Sequence, residues 1–376
     1  KDYMLKGVGE PEYYLGGNFH TVAPQESKVL CVEQNNRILD NEHDISATID
    51  RIHGNVQGND QDISPNKHST SLDPLNISEV DHGEKLRHLS PLWIKQGVKT
   101  AFSAETYIQN SMGRLEAMLS RTFPSYKTPM SEVTHPELDE SPLLNAADHA
   151  KFRSIVGCAN WLITLGRFDI AYATNQYSRF AHAPRQGHLT GMIRVFGYLK
   201  QFNKGKIIID PNYPNHEQFD MLNYDNWKEY YPDVEEMIPD SKDTPDPRGP
   251  AIRITVYQDA DHAHDMLTRR SVSGILLFLN NTPIKWITKR QKTVETSTYG
   301  SELVSAKIAT ELILEYRYSL RVMGVLLDGP ALLIGDNNSI VLNCTMPSSV
   351  LKKKHNACAY HQVREAIAAG IIKFTH

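Results

Sequence analysis

Cysteine is scarce in this chain: four residues in 376, Cys31, Cys158, Cys344 and Cys358, all far apart. None stands in C-x-x-C spacing or beside a His-x₃₋₅-His pair, which argues against a disulfide framework and a Cys/His zinc site; four small buried hydrophobes are expected instead. Long apolar runs are missing too. No stretch approaches the roughly 18 apolar residues of a membrane span, so no membrane partner is expected. The opening residues, KDYMLKG, hold neither an initiating Met nor a signal-peptide core. That suggests a soluble intracellular chain cut from something longer. A net charge of −4 leaves no strong overall bias of sign.

What charge there is lies unevenly. From Ala251 onward 15 Lys and Arg face 10 Asp and Glu, a net of +5, which leaves −9 for the first 250 residues. The basic end is where a polyanion is expected to bind. Much of the acidic excess falls between Glu217 and Arg248, in a proline-rich stretch running into PDSKDTPDPRGP. This composition predicts a solvated acidic linker over 213–250. Residues 21–100, as in QGNDQDISPNKHSTSLD, carry few apolar runs and predict a polar, partly disordered insertion. Residues 1–20 predict a turn from Gly7 to Pro11 and a short strand ending at Gly16-Gly17.

Between 101 and 212 the texture is helical. SAETYIQNSMGRLEAMLSRTF places Tyr107, Ile108, Met112, Leu115 and Leu119 near helical spacing, and KFRSIVGCANWLITLG and FDIAYATNQYSRFAHAP follow as further helices. RQGHLTGMIRVFGYLKQF gathers Leu189, Ile193, Phe196 and Leu199 on one side. Its cations Arg185, Arg194 and Lys200 predict either a solvated basic face or contacts to a phosphate backbone. After residue 250 the pattern alternates. RITVYQDADH, VSGILLFLN and PIKWITKRQ read as three successive strands, SELVSAKIATELILEYRYSLRVMG as a long helix and ALLIGDNN as a fourth strand. A short helix at Ser339 to Asn343, a basic loop, a helix from Cys358 to Ala369 and a last strand, IIKFT, complete an α/β domain over 251–376.

On this framework several polar residues stand in awkward places. Asp259 ends the first strand although β-propensity disfavours it. Glu302 opens the long helix, and Asp336 ends the fourth strand. If the first and fourth strands are neighbours, all three meet at one sheet edge, where converging carboxylates repel and need a cation. Oxygen ligands suit Mg²⁺, and two such ions about 4 Å apart suit phosphodiester hydrolysis. The blander roles are a turn-starting Asp, a Glu complementing a helix dipole and an Asp-Asn turn pair. Asp261 makes a D-x-D pair as in aspartyl phosphatases, but His262 and Ala263 follow where that chemistry expects Thr or Val.

The blocks KGVGEPEYYLGG, YKTPM, KFRSIVGCANWL, RFDIAYATNQYSRFAHAP, DADHAHDMLTRRSVSGILLFLNNTPIKWITKRQKTVETSTYGSEL, IGDNNSIV and KKKHNACAYHQVREAIAAG, in this order, resemble the C-terminal part of the Pol polyprotein of copia-type LTR retrotransposons. The resemblance implies an RNase H-like domain, a mixed five-stranded sheet flanked by helices, preceded by a mostly helical reverse-transcriptase thumb and connection region. Residues 1–20 would then be the end of the polymerase palm, 21–100 an insertion, 101–212 the thumb and connection, 213–250 the acidic linker and 251–376 the RNase H-like domain. No aromatic-x-Asp-Asp hairpin is present, so no polymerase activity is expected. The implied metal ligands are Asp259, Glu302 and Asp336, binding two Mg²⁺ ions for which Mn²⁺ can substitute. Where many copia-type enzymes read KHIDIRYHFIRE, this chain has Ala357 in place of a fourth carboxylate. His355 is the residue expected to assist there, as a stand-in ligand or in product release.

The implied partners are an RNA–DNA hybrid, template-primer nucleic acid and the rest of the polyprotein, in a cytoplasmic virus-like particle with a nuclear stage. Arg269, Arg270, Lys289, Arg290, Lys292, Lys352, Lys353 and Lys354 are candidate phosphate contacts, and Asn337 and Asn338 candidate readers of 2′-hydroxyls. The leading expectation is a ribonuclease cutting the RNA strand. The alternatives are a hybrid-binding module that has lost cleavage and a generic structural α/β domain.

Overall fold

The computed structural model describes residues 13–14, 17–22, 99–131, 134–219, 226–247, 249–351 and 354–376. The chain divides into two units, Lys1–Thr21 with Thr100–His376, and Val22–Lys99. Expectations for 1–12, for the Gly16-Gly17 junction in part and for nearly all of 21–100 fall outside the described residues.

Strands β1 (Tyr13–Tyr14), β2 (Gly17–Val22), β3 (Lys99–Ser103) and β4 (Lys206–Ile209) form one sheet in that order. Between β3 and β4 run α1 (Glu105–Leu119), α2 (Ala146–Thr164), α3 (Ala171–Ser178) and α4 (Gln186–Gln201). Their apolar stripes meet in one core around Phe152, Ile155, Leu162, Met192, Phe196 and Leu199. The three basic residues, Arg194 and Lys200 on α4 and Arg185 at its N-cap, do not form a free face. Arg194 bonds Thr128 and lies over the Tyr126 ring, Lys200 reaches Glu116 and the Phe123 carbonyl, and Arg185 donates to the Ser141 carbonyl. Each long side chain ties a loop down, a use of its length that spacing does not reveal.

The acidic stretch is only partly solvated. It contains the short α5 (Trp227–Tyr230), whose Trp227 is buried beneath the Arg364 guanidinium. Glu236 is held by both Arg317 and Arg321. Composition signalled solvation because the anchoring cations lie some 80 positions away in sequence.

The rest builds a second sheet from β5 (Ile254–Asp261), β6 (Val272–Leu279), β7 (Thr282–Arg290), β8 (Ala331–Gly335) and β9 (Ile372–Thr375). The order is β7-β6-β5-β8-β9, with β5, β6 and β7 antiparallel and β8 and β9 parallel to β5. Helices α6 (Thr298–Val322), α7 (Asn338–Thr345) and α8 (Ala357–Ala368) accompany it. This is the expected RNase H-like mixed sheet. Val256, Leu277 and Leu333 on its inner face pack against Leu303, Ala306 and Ile313 of α6 and Val363 of α8. β8 is buried along its whole length, as a parallel strand between two others must be. Of the described cysteines, Cys344 is buried as expected, Cys158 is half-buried and Cys358, near the start of α8, is exposed.

Candidate metal centre and active site

Three local signals bring the carboxylates together. β5 continues to Asp261 because β6 pairs with it throughout, whereas β8 pairs with it only as far as Gln258. Asp259 therefore sits just past the β8 pairing, and Asp336 follows directly on the last residue of β8, Gly335. Ser297 caps α6 by accepting from the Gly300 N–H, which starts the helix at Thr298. Glu302 thus lies in the second turn, one turn later than its sequence position suggested. Ligand oxygens of Asp259, Glu302 and Asp336 all lie within 4.8 Å of one another.

The site is fastened from beneath. The Ala260 N–H donates to Asp259 Oδ1 (2.6 Å) and to Glu302 Oε1 (3.2 Å), and Ser305 donates to the Asp259 carbonyl (2.9 Å). Gln291, buried and not anticipated from sequence, donates to both Ser273 Oγ and the Ser301 carbonyl, linking β6 to the first turn of α6. Asn337 caps α7 next to Asp336 by accepting from Ile340, so it serves the helix.

The electrostatics are those of an uncompensated anion cluster. Two unit charges as close as 4.8 Å repel by about 3 kcal/mol at an effective dielectric near 20. Burial, then Asp259 and Asp336, push the Glu302 carboxyl up to about 9. Burial and Asp259 likewise raise Asp336. Glu302 Oε2 is buried with no hydrogen-bond partner, a cost of about 1–3 kcal/mol if nothing binds it. An all-oxygen donor set with one orphaned oxygen fits a hard divalent cation. Among the described residues this is the one such carboxylate or imidazole cluster.

Sequence comparison agrees with the geometry. The chain is 26% identical over 325 residues to a retrovirus-related Pol polyprotein from transposon RE1 of Arabidopsis thaliana, spanning 85% of this chain and 19% of that protein. A second, from transposon RE2 of the same plant, is 26% identical over 249 residues, 66% of this chain and 14% of the other. The chain is related to transposon Pol polyproteins. It spans less than a fifth of the length of these relatives. No family model matches it. An RNase H domain from Mycobacterium tuberculosis overlaps 34% of the chain and 81% of its own length at 8% identity and a TM-score of 0.26. The fold of this Pol relative rests on its strand order and not on that overlap.

The other expected site residues scatter around the trio. Lys289 and Lys292 are exposed at the end of β7 and just beyond it. Arg290 is committed elsewhere, bonding the fully buried Asp265 together with Arg179. Arg269 lies in the loop between β5 and β6, in left-handed backbone, and touches Met266 Sδ; Arg270 is half-buried in the same loop. Asn338 opens α7. Lys354 is exposed, whereas Lys352 and Lys353 lie outside the described residues. His355 pairs with Glu295 (3.3 Å), a buried carboxylate that no sequence motif singled out. Ala357 opens α8 and lines a cavity of about 300 Å³ with Val350, Lys354 and Tyr360.

The second aspartate of D-A-D has a separate task. Asp261 bonds His264 Nδ1 (2.6 Å), whose ring also meets the Tyr172 hydroxyl from α3. With Glu137 accepting from the Met266 N–H and Arg179 on Asp265, this network ties the helical region to the β5–β6 loop.

Proposed function

We propose that residues 251–376 are a ribonuclease H-type endonuclease that cuts the RNA strand of RNA–DNA hybrids during reverse transcription, within a Pol fragment lacking the polymerase signature. The observation that carries this is the convergence of Asp259, Glu302 and Asp336 on a mixed sheet of that strand order. Asp259, Glu302 and Asp336 would hold two Mg²⁺ ions, with Mn²⁺ able to replace them. When bound, such ions lower the pKa of a coordinated water and neutralise charge growing on the leaving 3′ oxygen.

The chain's own residues do the rest. The Ala260 N–H and the α6 framework fix Asp259 and Glu302 before substrate arrives, so little reorganisation accompanies reaction. Glu302, which carries a proton while no cation is bound, would have to be ionised to serve as a ligand. Arg269, Lys289, Lys292 and Lys354, exposed cations that flank the carboxylates in sequence, neutralise phosphates, which makes binding fall with salt. The remainder of the polyprotein is the proposed protein partner, and a cytoplasmic particle the proposed setting.

The test is cleavage of a strand-labelled RNA–DNA hybrid by the purified chain, with Mg²⁺ and then Mn²⁺, beside Asp259→Asn and Asp336→Asn. Cutting confined to the RNA strand and lost in either variant is expected. Both variants should remain folded, because replacing one carboxylate of the cluster by its neutral amide relieves repulsion. Hybrid binding without cutting in either metal would replace this reading with a binding module.

A further inference from the structure

Gly274 sits in the middle of β6, where neither packing nor backbone demands a glycine. A Cβ built there meets nothing within 4 Å, and its φ is not in the left-handed region. Glycine weakens a strand interior, so its presence there often marks a place where a ligand or another backbone comes close. The register says what it adjoins. Asp259, Gly274 and Thr288 are directly opposite one another across β5, β6 and β7, and so project from one face of the sheet. With strands about 4.8 Å apart, Asp259 and Thr288 flank a bare strip about 10 Å wide.

The rows on either side are filled. Tyr257, Leu276 and Trp286 form one, with Tyr257 exposed, and Asp261, Val272 and Arg290 the other. Past Thr288 the strip leads to a cavity of about 350 Å³ at the edge of β7, lined by Asn160, Asn175, Ser178, Lys285, Thr288 and Lys289. One end of this path is the carboxylate cluster and the other is the edge strand β7, whose Lys285 and Lys289 alternate with Thr288, stand on the opposite face and line the cavity from the edge of the sheet.

We propose that Gly274 is a positioning residue for substrate: its missing side chain lets the sugar–phosphate backbone of the strand to be cut lie flat on β6, running from Asp259 towards the Lys285 and Lys289 cavity. The inference rests on the proposed nuclease function and adds the direction and floor of the substrate path. A Cβ at position 274 enters the strip and meets nothing of the protein within 4 Å, and a valine side chain fills more of it.

The experiment compares the full chain with Gly274→Ala and Gly274→Val. Hybrid affinity is read by fluorescence anisotropy in Ca²⁺, cleavage in Mg²⁺, cation binding by calorimetry without nucleic acid, and folding by thermal melting. The valine variant is expected to melt no lower than wild type and to bind the cation unchanged, while hybrid affinity and cleavage fall at least tenfold, with alanine between. Wild-type affinity and cleavage in the valine variant would overturn the proposal and leave the nuclease reading intact. Lost cation binding or a lowered melting temperature would overturn it as well, assigning Gly274 a structural role. A wild-type chain that neither binds nor cuts hybrid would overturn both.

Discussion

In the absence of a divalent cation, Glu302 carries a proton at neutral pH, and this makes the cluster measurable without any substrate. Its carboxyl ionises near 4.5 in the unfolded chain but is pushed up to about 9 in the folded one by burial and by Asp259 and Asp336. Between those values the folded state binds the extra proton. Stability from this group is therefore complete below about pH 4.5 and is lost as pH rises through about 9. The slope is about 1.4 kcal/mol per pH unit, so roughly 3 kcal/mol disappears between about pH 6 and 8. At about 2–4 °C per kcal/mol for a body of this size, melting falls by about 6–12 °C over that interval. Glu302→Gln keeps the shape and cannot ionise, so the variant should lose this component. The raised Asp336 adds a slope of the same sign, and the comparison of variant with wild type isolates the Glu302 share. A saturating cation requires the ionised form and reverses the trend, adding about 2.7 kcal/mol at a hundredfold excess over Kd. The assay is thermal unfolding followed by circular dichroism in EDTA and in Mg²⁺ across that pH range. Equal pH slopes for wild type and Glu302→Gln in EDTA would refute the reasoning, because Glu302 would then not be carrying the extra proton.

Two further predictions concern what holds the site in place. Burial pushes Glu236 up, but hydrogen bonds from Arg317 and Arg321 outweigh it and hold the carboxyl at about 2. Its stabilisation is thus present above about pH 4.5 and lost as pH falls through about 2; Glu236→Gln should cost about 3 kcal/mol in urea unfolding at neutral pH, with the difference closing in acid. The hydrogen bond to Asp261, resisted by burial, raises His264 above its ordinary value of 6.5. That contribution is complete below about pH 6.5 and fades as pH rises through the folded value, so His264→Gln should flatten the alkaline arm of the melting curve in EDTA; an unchanged arm would show that His264 contributes nothing to it.

Sequence and structure differ according to the range of each interaction. Period-2 alternation in RITVYQDADH and the short apolar run in VSGILLFLN are local properties, and they located β5 and β6 to within a residue or two. The same locality made Asp259 conspicuous, since a strand seldom ends in a carboxylate without a reason. Strand order was legible only once the resemblance to Pol proteins supplied it. The helix start at Thr298 was less legible, because Ser297 caps it through an N–H three residues on and Glu302 then falls a turn deeper. Arg290, Arg185, Arg194 and Lys200 read as free cations because their partners are distant in sequence.

By itself, then, the sequence determined the alternating pattern of the C-terminal domain, the helical texture before it and the three acidic positions suited to a cation, because periodicity and misplaced polarity act over a few residues. Only the tertiary structure decided that Glu302 is buried with an orphaned oxygen, that the acidic stretch is clamped through Glu236, that His355 faces Glu295 and that Gly274 lies beside Asp259. Each of these depends on register between strands or on contact between segments far apart in the chain, where desolvation and Coulomb forces are set by three-dimensional neighbours.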